Sequence, residues 1–351
     1  MTPEDFDYEL PEDQIAQYPL KERDKSRLML LNKEDGRVVH SKFRQLKKLL
    51  KPGDVLVLND TKVISARLTG RRKSGGKVEL FLVKRLDDND AGDTSELWRA
   101  LVKNAKGLKV GAQLSFAGDL TATLKESHGD GEWTALLECS STEYKITDLI
   151  EKIGTMPLPP YIKRGAKALD RRRYQTIIAD KPGAIAAPTA GLHFTEKVLD
   201  DLVRNDITVC RLTLHTGLAT FLPIRTKLVE DHRMHTEQYS IDPTTFAEIK
   251  TAKDEGRRIV AVGSTSVRAL ESAVAEGFDS PKLSGETDIY IYPGYEFKAV
   301  DAMLTNFHLP RSTLLLMVSA FAGKENVLCA YEEAVEEGYR FFSYGDCMLI
   351  E

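Results

Sequence analysis

Four of the seven histidines lie within residues 187–237. They are His193 in APTAGLHF, His215 in LTLHTGLATFLPI, and His232 and His235 in DHRMHTE. Imidazoles titrate near neutral pH, and small or hydroxylated neighbours let backbone approach a ligand closely, so the pattern fits an acid–base pocket. Four separately satisfied core or surface histidines would give the same spacing, and the sequence leaves both interpretations open.

Two further groups could add to this chemistry. Asp60 follows a predicted buried strand and could act as a general base or hold a ribose, although turn aspartates commonly bond their own backbone. His232 and His235 have a spacing that could present two metal ligands. No nearby cysteine and no HExxH helix completes such a site, so we predict no metal centre and no prosthetic group.

The segment IVAVGSTSVRALES, residues 259–272, predicts a strand, a tight turn and a helix. Helix N-terminal amides with the hydroxyls of Ser264, Thr265 and Ser266 suit an anion, and Arg268 could add a bidentate contact. Ordinary helix capping explains many such turns. The segment is not GxGxxG, which argues against a dinucleotide fold. The chain also has no GxSxG elbow and no Walker loop.

Polar and aromatic residues also collect near the C-terminus. Asn306 and His308 precede an apolar helix for which Ser312 is the predicted cap. Phe307, Phe342 and Tyr344 flank turns in the same region; such aromatics are more often core, but they could stack a nucleobase.

The formal net charge of −4 hides three basic islands, at residues 21–27, 71–77 and 162–174. Charge acts locally because screening limits its range to roughly 8–10 Å, so a basic face on an acidic protein can still bind phosphates. Solvated loops are the alternative. The predicted nucleic-acid contacts are Arg71, Arg72, Lys163, Arg164, Arg171 and Arg172.

The composition, with 42% hydrophobic and 29% charged residues among 351, is that of an ordinary globular protein with room for two domains. No apolar stretch is long enough to span a bilayer, and the acidic N-terminus lacks a signal-peptide pattern. The four cysteines are far apart, as in the reduced thiols of a cytoplasmic protein. We expect a cytoplasmic monomer without membrane association.

The chain changes texture along its length. Short Val-, Leu- and Thr-rich runs between Gly and Asp turns predict an antiparallel barrel, with strands at 77–84, 97–102, 113–116, 120–124 and 133–139. A buried strand is predicted at 54–59. Strands alternate with helices after residue 150: strands are predicted at 207–214, 258–262, 287–292 and 340–343, and helices at 195–204, 243–256, 265–276, 312–322 and 324–337, with Thr195 and Asp242 as the N-caps of the first two helices. The predicted fold is a mixed α/β domain, residues 1–61 and 153–351, with an inserted antiparallel β-barrel domain, residues 62–152.

These motifs together resemble the S-adenosylmethionine:tRNA ribosyltransferase-isomerase family of the queuosine pathway. The blocks follow the family's order nearly from end to end: FDYELPEDQIAQYP, RDKSRLMLL, PGDVLVLNDTKVISARL, MPLPPYIKR, RYQTIIA, APTAGLHFT, LHTGLATFLPI, HRMHTE, VGSTSVRALE, TNFHLPRSTLLLMVSAFAG and YRFFSYGDCMLI. Thr216, Ala219 and Cys347 depart from the residues usual in the family. They change side-chain volume rather than a titratable group.

The resemblance implies an α/β domain plus a β-barrel, and it implies the reaction. The ribosyl part of S-adenosylmethionine, a co-substrate, is transferred to 7-aminomethyl-7-deazaguanine at the tRNA wobble position and isomerised, giving epoxyqueuosine, adenine and methionine. The sulfonium acidifies the C5′ hydrogens, so a base of near-neutral pKa can remove one, and adenine leaves more easily if protonated.

The candidate residues then divide into two groups, without assignment of base and acid. Catalytic candidates are His193, His215, His232, His235, Asp60 and Glu237, with Glu196 as a further carboxylate. Candidates for S-adenosylmethionine binding are Thr189, Gly191, Thr216, Gly217, Ser264, Thr265, Arg268, Asn306 and His308. Two other classes remain: another S-adenosylmethionine-dependent enzyme such as a methyltransferase, disfavoured by the missing glycine-rich loop, and a non-catalytic RNA-binding protein.

Overall fold

A nine-stranded mixed sheet is the centre of the larger part of the molecule. The computed structural model describes residues 1–86, 94–140, 145–217 and 224–351. The strand order in the sheet is β15-β13-β12-β3-β14-β16-β17-β1-β2. Its strands are β1 (Arg27–Leu31), β2 (Val38–Lys42), β3 (Val55–Asn59), β12 (Thr208–Leu214), β13 (Glu237–Ser240), β14 (Ile259–Val262), β15 (Ser284–Thr287), β16 (Ala302–Asn306) and β17 (Cys347–Ile350).

Strand β3 lies in the middle of the sheet because its side chains are apolar on both faces. All five of its residues, VLVLN, are buried, and it pairs in parallel with β12 on one side and β14 on the other. A continuous apolar run of this kind is typical of a parallel strand covered by helices on both faces. The strand predicted at 54–59 is confirmed, beginning one residue later.

Five helices cover the sheet. Thr195 accepts a hydrogen bond from Val198 N, and Asp242 accepts one from Thr244 N, so both predicted N-caps are confirmed. The covering helices are α3 (Glu196–Val203), α4 (Pro243–Asp254), α5 (Ser264–Ala273), α6 (Thr313–Ala322) and α7 (Lys324–Glu336).

The predicted antiparallel barrel is confirmed as a closed sheet of six strands in the order β10-β7-β6-β5-β8-β9. Trp98 and Trp133 lie in its apolar core, and the helix α1 (Ile146–Ile153) packs on it. Hairpin turns place Gly75, Asp119 and Asp130 at positive φ. The strands are β5 (Arg67–Arg72), β6 (Lys77–Arg85), β7 (Ser95–Lys103), β8 (Gln113–Ser115), β9 (Leu120–Gly129) and β10 (Glu132–Cys139).

Short pairings join the barrel to the α/β part. Strand β4 (Thr61–Val63) pairs in parallel with β11 (Lys181–Ala184), and the side chain of Arg171 in α2 (Ala168–Arg173) donates to the carbonyl oxygens of Glu151 and Gly154. These contacts fix the barrel beside one edge of the large sheet.

Two predicted strands are wrong. Residues 287–292 alternate in polarity like a strand, but β15 ends at Thr287, and Tyr290 and Tyr292 instead pack on each other with ring centroids 4.9 Å apart. Residues 340–343 form no strand because their aromatic rings fill the core: Phe341 packs against Phe307 and makes one isolated bridge with Ile15. The closing strand is β17, a few residues further on.

Within the described residues, no single helix is long and apolar enough to cross a membrane; α6 and α7 reach the required hydropathy only as a pair, across a bend of 116°. In the same ranges, no group of three or more His, Cys, Asp or Glu side chains is placed to hold a metal ion.

The burial of His193 and His308 predicts acid sensitivity. Burial lowers the pKa of His193 from 6.5 to about 4 and that of His308 to about 3. As the pH falls below about 6.5, the unfolded chain takes up protons that the folded chain does not bind. The free energy of unfolding is therefore highest above that pH and decreases as the pH drops towards 4. We expect His193 alone to account for a loss on the order of 3 kcal/mol. Urea unfolding at pH 7 and pH 4.5 measures it.

A His193→Gln variant cannot take up this proton, so its unfolding free energy should change less over the same interval. Equal acid dependence in both proteins would contradict the argument.

Candidate active site

Chemically active residues converge where the parallel strands end. The strands β12, β3, β14 and β16 run in the same direction, so their carboxyl ends meet at one edge of the sheet. His215 and Thr216 follow β12, Asp60 and Thr61 follow β3, and Gly263 follows β14. Ligands of open α/β sheets bind at this edge. Two cavities occupy it.

The larger cavity, called the cleft below, has a volume of about 930 Å³ and lies between the barrel and the sheet. The barrel contributes charged and aromatic side chains to one wall, and the α/β part contributes the loop His215–Gly217 and residues 235–238. Side chains of both charges line it: Lys62, Lys84, Arg85, Arg99, Glu132, Asp148, Glu151 and Glu237.

His215 is the titratable group best placed for acid–base work in the cleft. Its Nδ1 lies 2.8 Å from Thr61 Oγ1, and its backbone N donates to Gln238 O. Burial lowers the pKa of His215, and the charge of Asp60 opposes that shift. The imidazole is therefore neutral at pH 7 and able to accept a proton.

Gly183 holds the His215 ring by close approach. A Cβ at Gly183, whose φ is +150°, would lie 2.9 Å from Cε1 and Nδ1 of the imidazole. Only glycine leaves the ring in place there. The sequence analysis missed this residue; its signal was a glycine within the PGA segment just before the histidine-rich blocks.

A buried ion pair also holds the loop His215–Gly217 in place. Glu237 and Arg268 are almost fully buried and in direct contact, and Gly217 N donates to Glu237 Oε1 over 2.7 Å. Arg268 was predicted to bind an anion at the start of α5. It instead binds Glu237 from within the core, because its side chain extends towards β13, and it lines none of the cavities described here.

Asp60, another of the catalytic candidates, is a buried hydrogen-bond acceptor. Its Oδ1 accepts a hydrogen bond of 2.6 Å from Thr213 Oγ1, and its backbone O accepts from the amides of Asp180 and Lys181. Asp60 does not line the cleft, and it acts on His215 through its charge.

The smaller cavity, called the narrow cavity below, has a volume of about 60 Å³. Its wall includes the start of α5, the end of β16 and the aromatic turn near the C-terminus. Thr216 borders both the narrow cavity and the cleft. Six of the residues predicted for S-adenosylmethionine binding line the narrow cavity: Thr189, Thr216, Ser264, Thr265, Asn306 and His308.

The four histidines do not lie in one pocket, which was one of the two interpretations that the sequence left open. Only His215 and His235 line the cleft. His193 lies in a separate small cavity with its Nδ1 2.7 Å from Ser26 Oγ, because the 3-10 turn that carries it faces the opposite side of the APTAGLHF segment. His232 packs edge-on to Tyr290, at 5.3 Å between ring centroids.

Several other candidates have structural surroundings. Gly191 packs against Thr176, where a Cβ would lie 2.8 Å from Cγ2, and it lines neither the cleft nor the narrow cavity. Glu196 is exposed in the first turn of α3. His308 is held by Thr305, with 2.9 Å between Nε2 and Oγ1. Residues 218–223 of the LHTGLATFLPI block, including Ala219, lie outside the described residues.

The six basic candidates differ in their partners. Lys163 pairs with Glu12, and Arg164 makes two hydrogen bonds to the buried carboxylate of Asp170. Arg71, Arg72 and Arg171 donate only to backbone carbonyls among the described residues, so their charge is not neutralised. The exposed side chain of Arg172 is next to Arg171 in the sequence of α2.

Comparison with known proteins places this geometry in a family. A family model described as queuosine biosynthesis protein matches residues 3–350. The S-adenosylmethionine:tRNA ribosyltransferase-isomerase of Pelobacter propionicus is 50% identical over 351 residues, covering 100% of both chains. The enzyme of the same name from Geobacter sulfurreducens is 49% identical, covering 99% of this chain and 98% of its own.

A solved structure agrees with these matches. The S-adenosylmethionine tRNA ribosyltransferase of Thermotoga maritima is 36% identical and aligns with a TM-score of 0.55, covering 99% of this chain and 100% of that one. The sequence resemblance to this family is thereby confirmed. The chain belongs to the queuosine biosynthesis protein family.

Proposed function

We propose that this protein transfers and isomerises the ribosyl moiety of S-adenosylmethionine onto 7-aminomethyl-7-deazaguanine at the tRNA wobble position, releasing adenine and methionine. Relatives covering the whole chain carry the name of this activity. The observation that carries the proposal is the neutral imidazole of His215 facing a cleft of about 930 Å³, which has room for a nucleoside as well as the sulfonium ribose.

His215 is the proposed general base. The positive sulfur of the substrate acidifies the C5′ hydrogens, and a neutral imidazole can take one of these protons. Thr61 holds Nδ1, so Nε2 is the ring nitrogen left for the substrate. The ion pair of Glu237 with Arg268 and the packing of Gly183 hold the loop and the ring that carry this base.

His235 and the charged walls complete the proposed cleft. His235 belongs to the segment 235–238 that lines the cleft, and its side chain is exposed. It is a proposed partner in proton transfer. Carboxylates and cations on the barrel wall suit the ammonium and carboxylate of the methionine moiety. We further propose residues 62–152 as an inserted domain, so that the cleft lies between two domains, as many ligand sites do.

The tRNA is proposed to bind through cations that pair with no carboxylate among the described residues, namely Arg71, Arg72, Arg171 and Arg172. Lys163 and Arg164 are proposed to contribute less, because each already has an acidic partner. We also propose that the protein acts in the cytoplasm, since its cysteines are unpaired and three of the four are buried. We further propose that it is a monomer.

The reaction can be tested directly by its products. Incubation with S-adenosylmethionine and tRNA bearing 7-aminomethyl-7-deazaguanine should release adenine and methionine in equal amounts, measured by chromatography. Formation of S-adenosylhomocysteine and methylated tRNA would identify a methyltransferase instead. Binding of tRNA with release of neither product would leave a non-catalytic RNA-binding protein.

Removal of the proposed base should slow the chemical step. We expect His215→Gln to lower the single-turnover rate by about 10²–10⁴-fold without lowering Tm much. The wild-type rate should fall only below pH 6.5, since burial lowers the pKa of His215 from that value. The control is His128→Gln, a barrel histidine bonded to Thr134, which should keep the wild-type rate.

Gly183→Ala should act through the same ring. Its Cβ would displace the imidazole, and misplacement by about 1 Å can cost about 10²-fold in rate. In the double variant with His215→Gln, the alanine should add almost nothing further. Additive losses would show that Gly183 has a role unrelated to His215.

The proposed tRNA-binding arginines predict a change in salt dependence. Combined Arg71→Ala and Arg72→Ala substitutions should reduce the slope of log K against log salt by about one for each phosphate that is no longer neutralised. Binding of S-adenosylmethionine should not change. A matched control is Lys250→Ala, a lysine paired with Asp279 outside the basic islands. Unchanged slopes in the arginine variants would mean that these residues are solvated surface.

A further inference from the structure

The narrow cavity has an aromatic wall that is held in a strained conformation. Phe342 lies at φ +68°, in a region that bulky residues rarely adopt, and its ring stacks on Tyr161 with centroids 4.6 Å apart. Asn306 Nδ2 donates to Phe342 O, and Phe342 N donates to Phe307 O, which secures the strained residue. Both stacked rings line the cavity. Strain of this kind clusters at ligand sites.

Buried polar atoms without partners line the same cavity. Thr216 and Thr265 are 2% and 6% exposed, and neither hydroxyl has a hydrogen-bond partner among the described residues. Asn306 also lines the cavity, but its side chain interacts with His193, so it is not counted with these two. Buried polar atoms are rarely left unsatisfied, so two around one cavity indicate a ligand that satisfies them.

The start of α5 adds donors to this wall. Gly263 is the N-cap, and no side chain caps the helix, so the amides of Ser264 and Thr265 at its first turn have no partner within the helix. Both residues line the cavity. Hydroxyls and amides there can donate to the ring nitrogens of a heterocycle.

Charge separates the two cavities. Within the described ranges, the narrow cavity has no Asp, Glu, Lys or Arg in its lining, whereas the cleft has side chains of both signs. His308 adds no charge near pH 7, because burial lowers its pKa to about 3. A zwitterion such as the amino-acid end of S-adenosylmethionine has partners in the cleft and none in the narrow cavity. The occupant of the narrow cavity is therefore neutral and polar, and the stacked rings of Tyr161 and Phe342 favour a flat one.

We propose that the narrow cavity holds the adenine base of S-adenosylmethionine, with the methionine moiety lying in the cleft. This inference rests on the function proposed above. A cavity needs about 10–15 Å³ of this kind of volume to hold one water. The narrow cavity, with about 60 Å³, therefore has room for a few waters, which is a space in the range of one nucleobase. The adenine ring lies on Phe342, and the hydroxyl of Thr265 bonds the polar edge of the ring.

The junction between the cavities then fixes the substrate's direction. Thr216 borders both spaces, so the ribose passes it on the way from the narrow cavity to the cleft, and C5′ arrives beside His215, the residue that precedes Thr216 in the chain. When the C1′–N9 bond breaks, N9 keeps the electron pair and the leaving base takes up one proton, equal in number to the proton that His215 removes from C5′. Donors on the other ring nitrogens, from Thr265 and the α5 amides, stabilise that charge.

The test uses variants that remove a hydroxyl while keeping side-chain shape. Adenine and methionine are titrated separately into the full chain by calorimetry. Thr265→Val and Thr216→Val should each weaken adenine binding by about tenfold and leave methionine binding unchanged. Tm should stay the same or rise, since each substitution removes an unsatisfied buried group. The matched control is Thr313→Val, whose buried hydroxyl also lacks a partner in the part of the chain that the structure describes but does not line the cavity.

Three outcomes would overturn the inference: no adenine binding by the wild-type protein, unchanged adenine affinity in both cavity variants, or a loss of methionine affinity in their place. The product assay separates this failure from failure of the proposed function. If the wild type releases adenine and methionine but both variants keep its adenine affinity, only the placement of adenine is wrong. If the wild type releases neither, while Thr265→Val still weakens adenine binding, the cavity is a nucleobase site and the reaction assignment is wrong.

Discussion

The buried pair of Glu237 and Arg268 is the interaction on which the site depends. Two charges removed from water are costly unless their remaining hydrogen-bonding groups are satisfied, and removal of one partner leaves the other uncompensated. Here Arg268 Nε also donates to Ile289 O and Glu237 accepts from Gly217 N, whereas Arg268 Nη2 has no hydrogen-bond partner among the described residues. The pair ties helix α5 and strand β13 to the loop that carries His215 and Thr216. That loop is the only wall shared by the cleft and the narrow cavity as the structure describes them.

The sheet supplies the second constraint, because it brings distant blocks of sequence to one edge. Asn59 accepts from Leu214 N and donates to Leu214 O, so the ends of β3 and β12 are joined just before Asp60 and His215. Gly263 N donates to Leu304 O, which joins β14 to β16 just before the residues of the narrow cavity. Each motif therefore has a rigid strand directly before it, which is the arrangement that positions catalytic side chains well.

Local sequence signals predicted much of the fold and less of the site. The caps at Thr195 and Asp242 and the hairpin glycines depend on contacts within a few residues. The local sequence was therefore sufficient to predict them. Residues 340–343 were misassigned because aromatic enrichment marks strands and cores alike. The site depended on facts that no local pattern contains: which face of the APTAGLHF segment His193 would take, whether Arg268 would meet a carboxylate, and that Gly183 would lie against His215. Family resemblance supplied the reaction, and the geometry assigns different surroundings to residues that the sequence had grouped together.

The order of strands in the large sheet has a consequence for biosynthesis. Leu28 in β1 pairs with Cys347 in β17, whereas the barrel closes entirely from residues between Arg67 and Cys139. During translation the barrel has all its strands early, while β1 must wait for nearly the whole chain before its parallel neighbour exists. Contacts of such long sequence separation form slowly and leave apolar strand edges unpaired in the meantime. All strands of the barrel are therefore synthesised well before the large sheet can be completed, so the sheet is the part of the fold whose apolar edges stay unpaired longest.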